Sequence, residues 1–277
     1  MAAQGDAAAR LPALLRPLAD EPARSALFLD FDGTLSGVVT DPRLAHPLPG
    51  VPALLAELAA PFALVAVISG RPTAFLAEIL GAPPGVTLAG LYGLERALQG
   101  PAHDSWAAVI DEVVAEAMAA APPGIYVEPK GLTVTLHFRR APEHKDWVVD
   151  FAERQRDARG LMVVQGRLER ELRPALAVDK GTVVRSLVAE HDAQAEPLQA
   201  AAAFGDDVGD LPAFAALDAL GAVGGSLRTV VRVAAVDTES PASVAAVADL
   251  TVAGATGAVA LLRELADAAG ATRSAQR

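Results

Sequence analysis

The sequence predicts an α/β protein, a parallel-sheet core interrupted by an inserted α+β domain. Three observations predict it. Short apolar runs alternate with helical patterns over residues 26–91, a different rhythm replaces that alternation over 105–174, and the alternation resumes from Lys180. A length of 277 residues with 52% hydrophobic content suffices to bury sheets on both faces.

The first strand is the run Ala26-Leu27-Phe28-Leu29-Asp30, followed by a helix at 51–58, a strand at 62–69, a helix at 73–80 and a strand at 86–91. This βαβαβ order makes parallel strands with right-handed crossovers, a Rossmann-like core. The middle stretch reads as a helix at 105–120, strands at 125–128 and 132–138, a charged helix at 142–159 and strands at 161–165 and 168–172. An αββαββ unit with short hairpin connections is an antiparallel sheet carrying helices on one face. The core then resumes with a helix at 180–190, a strand at 198–204, a helix at 211–217, strands at 219–223, 233–236 and 250–252, and a closing helix from Thr256, its N-cap, to Ala269. The domain expectation is therefore a core of 25–104 and 175–270, an insert of 105–174, and frayed tails at 1–24 and 271–277.

Composition removes several function classes. A net charge of -11 opposes nucleic acid and anionic membrane surfaces, which favours a small-molecule substrate. With no cysteine, disulfides and thiolate metal sites are impossible, which fits a cytoplasmic protein. No apolar stretch approaches the roughly 20 residues of a membrane helix, and no apolar signal segment stands at the N-terminus. The chain has 3 lysines against 20 arginines, so each lysine merits inspection.

Parallel sheets bind ligands beyond the carboxyl ends of their strands, and the polar clusters fall there. Asp30 and Asp32 end the first strand and, two residues apart, share a face opposite Phe31. Two carboxylates aimed together repel unless a cation or a proton joins them. That suits a hard ion such as Mg²⁺, or a division of labour between nucleophile and proton shuttle. Ser69-Gly70-Arg71 follows the second strand and offers a hydroxyl, backbone N–H groups and a guanidinium to an anion. Lys180 opens a helix for which Asp179 is an N-cap, and Gly205-Asp206-Asp207 with Asp210 follows the strand ending at Phe204.

This order of motifs matches phosphoryl transfer, in which positioning and charge neutralisation supply most of the catalysis. Asp30 is the expected nucleophile, forming an aspartyl-phosphate, and Asp32 the acid and base. Ser69 and Lys180 hold phosphate oxygens, and Mg²⁺ is held by Asp30, the Asp32 carbonyl and Asp206, with Asp207, Asp210 and Gly70 in support.

The DFDGTL, SGR and GDDVGD segments resemble the haloacid-dehalogenase-like phosphatases, in which a second Asp marks phosphatases and mutases. The insert resembles the large C2-type (C2B) cap that closes over sugar phosphates. Glu128-Pro129-Lys130-Gly131, His137-Phe138-Arg139 and Glu171-Leu172-Arg173-Pro174 sharpen the likeness to trehalose-6-phosphate phosphatases. That resemblance implies contacts to the distal glucose from Glu128, Lys130, Arg139 and Glu171, with Arg71 near the active-site mouth, and hydrolysis of trehalose 6-phosphate; apart from it, the chain is expected to act as a monomer. Tyr92, Gly209 and Leu211 depart from the family's usual His, Thr and Glu. His137 taken alone reads as an ordinary charge on an exposed hairpin face. The competing expectations are a phosphatase for another sugar phosphate, such as a glucosyl- or mannosyl-3-phosphoglycerate or sucrose 6-phosphate, and a non-catalytic phosphosugar-binding protein. A phosphoglycerate's extra carboxylate calls for a further cap cation, from Arg139, Arg167 or Arg173.

Overall fold

A computed structural model of the chain describes residues 11–39, 42–166, 168–238 and 240–275. Two compact units emerge, one of Met1–Ser69, Thr73–Gly93 and Asp179–Arg277, the other of Gly70–Pro72 and Leu94–Val178. In chain order, the first unit contains α1 (Arg16–Asp20), β1 (Ser25–Leu29), α2 (Val51–Ala59), β2 (Leu64–Ile68), α3 (Thr73–Leu80) and β3 (Val86–Ala89). The second contains α4 (Leu94–Ala97), α5 (Pro101–Ala120), β4 (Tyr126–Pro129), β5 (Val134–His137), α6 (Lys145–Arg159), β6 (Leu161–Gly166) and β7 (Glu169–Pro174). The first is completed by α7 (Lys180–Asp192), β8 (Ala200–Gly205), α8 (Leu211–Gly221), β9 (Thr229–Val236), α9 (Ala242–Val247), β10 (Leu250–Ala253) and α10 (Gly254–Ala275).

The core sheet is parallel throughout, in the order β10-β9-β8-β1-β2-β3. Its central strands, β1, β2 and β8, are almost wholly apolar because helices cover both faces. Leu27, Leu29, Val65 and Val67 pack on one face with Leu54 and Leu55 of α2, Leu76 of α3 and Leu262 and Leu265 of α10. Ala26, Phe28, Ala66 and Ile68 pack on the other with Val184 and Leu187 of α7, Phe214 and Leu217 of α8 and Val244 of α9. The strand order reverses between β1 and β8, so both strands deliver their carboxyl ends to the switch point where such sheets bind ligands.

The second unit is an antiparallel sheet in the order β4-β5-β7-β6. Val127, Val134, Leu136 and Leu172 face Ile110 and Val113 of α5 and Val148 and Phe151 of α6. Because side chains alternate, Tyr126, Glu128, Thr135, His137, Glu169 and Glu171 share the opposite face. Register aligns Glu128, Thr135 and Glu171 in one row across three strands, and Tyr126, His137 and Glu169 in the next.

Four local expectations are corrected. The strand expected at 219–223 does not form: Ala219, Leu220 and Gly221 continue α8, and the neighbouring sheet strand is the longer β9. A five-residue apolar run cannot by itself distinguish helix from strand, and here its first three residues form the last turn of α8. Thr256 is not an N-cap, since α10 begins at Gly254, and that helix continues to Ala275 where a tail was expected from 271. Nor is 1–24 a tail throughout, because Leu11, Leu15 and Leu18 are buried in the same core as α10. The remainder of the expected N-terminal tail, 1–10, lies outside the described residues, as do Gln276 and Arg277. Helix α9 was not anticipated. No helix among the described residues is long and apolar enough to cross a membrane.

Candidate active site

Asp30 follows β1 directly, and its N–H donates to the Phe204 carbonyl of β8 at 3.0 Å, which extends the parallel ladder by one residue. The chain then turns tightly, with the N–H groups of Leu35 and Ser36 both donating to the Phe31 carbonyl at 2.9 Å. Gly33 makes the turn possible. Its φ is +82°, and a Cβ there would lie 2.1 Å from Asp206 Oδ2, so the carboxylate of the loop after β8 occupies the space a side chain would need. Phe31 is fully buried and meets Phe75 edge-on at 6.4 Å, while Asp32 is half-buried in the turn.

Three carboxylates converge. Asp30, Asp206 and Asp210 each offer an oxygen within 4.8 Å of the others. Lys180 enters from the first position of α7, where the Asp179 side chain accepts from Thr182 N–H at 2.7 Å and the Thr182 hydroxyl accepts from Asp179 N–H at 2.9 Å. Lys180 Nζ donates to Asp30 Oδ1 at 2.5 Å and to Asp210 Oδ1 at 2.6 Å, all three side chains being buried. Gly181 allows the helix to start this close, since a Cβ would strike the Pro212 carbonyl at 2.3 Å.

The three carboxylates are not equivalent. Asp210 is saturated: Oδ1 takes Lys180, and Oδ2 accepts from the N–H groups of Asp206 (2.9 Å) and Asp207 (3.1 Å). Asp206 Oδ1 is buried with no hydrogen-bond partner among the described residues. Burial, then the charge of Asp210, pushes Asp30 up to about 7 although Lys180 opposes the shift. Burial, then the charges of Asp30 and Asp210, pushes Asp206 up to about 10. Burial works against a charged Lys180, but Asp210 and Asp30 outweigh it and hold the ammonium above its ordinary range. The cluster thus carries more negative charge than one lysine neutralises.

Ser69 is buried at the end of β2, its N–H donating to the Ala89 carbonyl at 3.0 Å and its carbonyl accepting from Tyr92 N–H at 2.9 Å. Leu91 and Tyr92 hold positive φ values of 49° and 56°, unusual for non-glycine residues. Asp207 stands apart from the buried cluster: it is exposed and caps the Val208–Asp210 turn by accepting from Val208 N–H at 2.6 Å.

On the polar face of the antiparallel sheet, Glu128 has His137 at 2.9 Å, Lys130 at 3.5 Å and Arg71 at 3.9 Å. Gly131, at φ +78°, turns the hairpin that returns Lys130 to this group, with Lys130 N–H donating to the Thr133 carbonyl at 2.9 Å. Glu171 is buried and its Oε1 has no hydrogen-bond partner among the described residues. Arg139 does not join them. It is exposed in the turn after β5, because the sheet's alternation ends at His137. Arg173 is buried and donates to the carbonyls of Leu176 and Val178, and Arg167 lies outside the described residues. His137, read from the sequence as a charge on an exposed hairpin face, is instead largely enclosed, its side chain 16% exposed, and it shares with Glu169 the face of Thr135 and Glu171, as their period-2 spacing requires.

Residues 28–249 match the trehalose-phosphatase family. The chain is 39% identical over 220 residues to the trehalose-phosphate phosphatase of Mycobacterium marinum and 40% identical over 220 residues to that of Mycobacterium ulcerans, each match covering 75% of this chain and 55% of the relative. It therefore spans about half the length of the curated relatives it matches. The C-terminal domain of Candida albicans trehalose-6-phosphate phosphatase superimposes with a TM-score of 0.68 at 25% identity, covering 94% of this chain and 99% of that one. A haloacid dehalogenase-like hydrolase from Bacteroides thetaiotaomicron shares the fold, with a TM-score of 0.53 at 15% identity over 86% of this chain and 98% of that one. Since the match runs across both the carboxylate-bearing parallel sheet and the inserted antiparallel one, the chain belongs to the trehalose-phosphatase family.

Proposed function

We propose that this chain hydrolyses trehalose 6-phosphate to trehalose and phosphate through an aspartyl-phosphate. The observation that carries the reading is the buried Asp30–Lys180–Asp210 group beside Asp206 at the switch point of a sheet whose family acts on this class of ester. Asp30 attacks phosphorus in line with the ester oxygen. Asp32 protonates the departing sugar oxygen and then takes a proton from the water that cleaves the acyl phosphate. Ser69 and Lys180 hold phosphoryl oxygens. An ammonium has three N–H donors and the two carboxylates use two, which leaves one for the substrate.

The donor set fits a divalent cation. It consists of hard oxygens, it is over-charged, and it contains one buried carboxylate oxygen with no hydrogen-bond partner among the described residues. Asp30 and Asp206, with the Asp32 main-chain carbonyl, would hold Mg²⁺, while Asp210 is committed to Lys180 and the loop N–H groups. Bound there, Mg²⁺ neutralises charge on the phosphoryl oxygens. Asp207 and Gly70 support the site through its loops.

We assign 25–104 and 175–270 to catalysis and the inserted 105–174 to reading the sugar. Glu128, Lys130 and Glu171 face one another on the polar sheet surface and offer both donors and acceptors to hydroxyls, with Arg71 adjacent. Arg139, exposed beyond the sheet, keeps at most an edge contact. Of the cations that a substrate's additional carboxylate would call for, Arg173 is buried and donates to main-chain carbonyls, Arg139 is exposed beyond the sheet, and Arg167 lies outside the described residues. We read the reaction as cytoplasmic, which the lack of cysteine in the sequence fits, and the chain as acting as a monomer.

A panel of sugar phosphates, each assayed with Mg²⁺ and with EDTA, tests this. Trehalose 6-phosphate should turn over fastest, only with metal, and not at all in Asp30→Asn. Metal-independent turnover, or preference for a phosphoglycerate or sucrose phosphate, defeats the reading.

A further inference from the structure

His137 lies between two carboxylates on separate strands. Its Nε2 is 2.9 Å from Glu128 Oε2 of β4, and its Nδ1 is 3.0 Å from Glu169 Oε2 of β7. An ionised carboxylate only accepts hydrogen bonds, whereas a neutral imidazole has one donor nitrogen and one acceptor, so it can satisfy one of these contacts and must repel the other. Both are satisfied only by the imidazolium. Charge counting agrees. Glu128, Glu169 and Glu171 face Lys130 and Arg71, which leaves one negative charge uncompensated until His137 takes a second proton. The ring is fixed in plane by Tyr126, stacked on it at 5.5 Å with 23° between planes.

We propose that His137 is a positioning residue for substrate recognition: as an imidazolium clamped by Glu169, it locks Glu128 Oε2 and so presents Glu128 Oε1 to a sugar hydroxyl. Oε2 is occupied by His137 and by Lys130 at 3.5 Å. Oε1 is 3.9 Å from Arg71, a looser contact that leaves it able to accept from a hydroxyl. Without the second proton, one His137 contact turns repulsive and the Glu128 carboxylate is released to rotate.

The local electrostatics support the geometry. Burial pushes His137 down, but the hydrogen bonds and charges of Glu128 and Glu169 outweigh it and hold the imidazole above its ordinary 6.5. Burial raises Glu128, yet the His137 hydrogen bond and the charges of Lys130, His137 and Arg71 bring its carboxyl below the usual value. The groups facing the imidazole are thus Glu128 and Tyr126 on β4 and Glu169 on β7, with Lys130, Arg71 and Glu171 one step further. The inference rests on the proposed sugar-reading role of this face, and its test has an arm that needs no substrate.

In that arm, ¹⁵N NMR of the His137 ring, assigned by the signals lost in His137→Asn, should show both nitrogens protonated at neutral pH and a titration midpoint above 6.5. Glu169→Gln, which keeps the size of the side chain and removes its charge, should lower that midpoint. In the kinetic arm, KM for trehalose 6-phosphate should climb in the wild type as pH passes the midpoint, and climb at lower pH in Glu169→Gln. His137→Asn should raise KM about tenfold, the scale of one hydrogen bond to a charged group, with a smaller change in kcat. A neutral ring at pH 7, or a wild-type KM in His137→Asn, overturns the clamp. If trehalose 6-phosphate is not a substrate, the proposed function fails, and the NMR arm still decides whether the imidazolium clamp exists.

Discussion

Asp210 shows how one buried residue organises several others. Its two oxygens receive an ammonium and two main-chain N–H groups, so it fixes Lys180 and the loop that carries Asp206 together. Gly205 reflects the same crowding, since a Cβ there would lie 2.2 Å from Asp210 Cγ. Without Asp210, Lys180 keeps Asp30, but one ammonium N–H and two main-chain N–H groups lose their acceptor, and a buried donor left unsatisfied costs about 1–3 kcal/mol. Asp210→Ala is therefore expected to lose about that much stability in urea unfolding and to lose turnover. A loss below ~1 kcal/mol would show that Lys180 is held by Asp30 alone.

At the scale of elements, the turn after β1 and the loop after β8 have to be built together. Gly33 supplies a left-handed backbone, and the absence of its side chain makes room for Asp206. Gly33→Ala meets both obstacles, a positive φ that costs about 1–3 kcal/mol and a Cβ 2.1 Å from Asp206 Oδ2. The expected outcome is lost Mg²⁺ affinity in calorimetric titration together with a lowered Tm. A variant that binds Mg²⁺ as the wild type does would remove Asp206 from the ligand set. The antiparallel sheet illustrates another rule at this scale. Alternation sends Val127, Val134 and Leu172 toward helices and leaves the intervening residues to form one continuous polar surface.

For the molecule as a whole, stability is tied to pH through these carboxylates and, on the proposed function, to Mg²⁺ as well. Burial, with neighbouring like charge, raises Asp30 to about 7 and Asp206 to about 10 from an ordinary 3.8, so the folded state binds their protons more tightly than the unfolded chain does. Stability of the metal-free protein is then expected to fall as pH rises from about 4 toward 10, the sign that follows when the folded state holds more protons. Mg²⁺ must displace protons at pH 5 and fewer at pH 8, so its stabilisation should be larger at pH 8. Scanning calorimetry with and without Mg²⁺ at the two values checks this. A shift in Tm that is equal or larger at pH 5 would contradict the assignment of these carboxylates to the cation.

Near-neighbour pattern by itself determined the α/β class, most strands to within a few residues, the Asp30/Asp32 pair at a strand end, the Asp179 cap with Lys180 behind it, and the Glu128/Lys130 hairpin. These depend on periodicity and local spacing, which are written directly in the order of residues. Pattern failed where one apolar run suited two structures, as at 219–223, and at Thr256, where a good cap residue lay inside a helix. Only the tertiary structure decided which charges meet. Lys180 reaches Asp30 across 150 residues of sequence and Asp210 across 30, Arg71 rather than Arg139 faces Glu128, and strand register puts His137 between Glu128 and Glu169. Such pairings follow from sheet order and from the need of buried charges for partners, and neither is a property of any short stretch of chain.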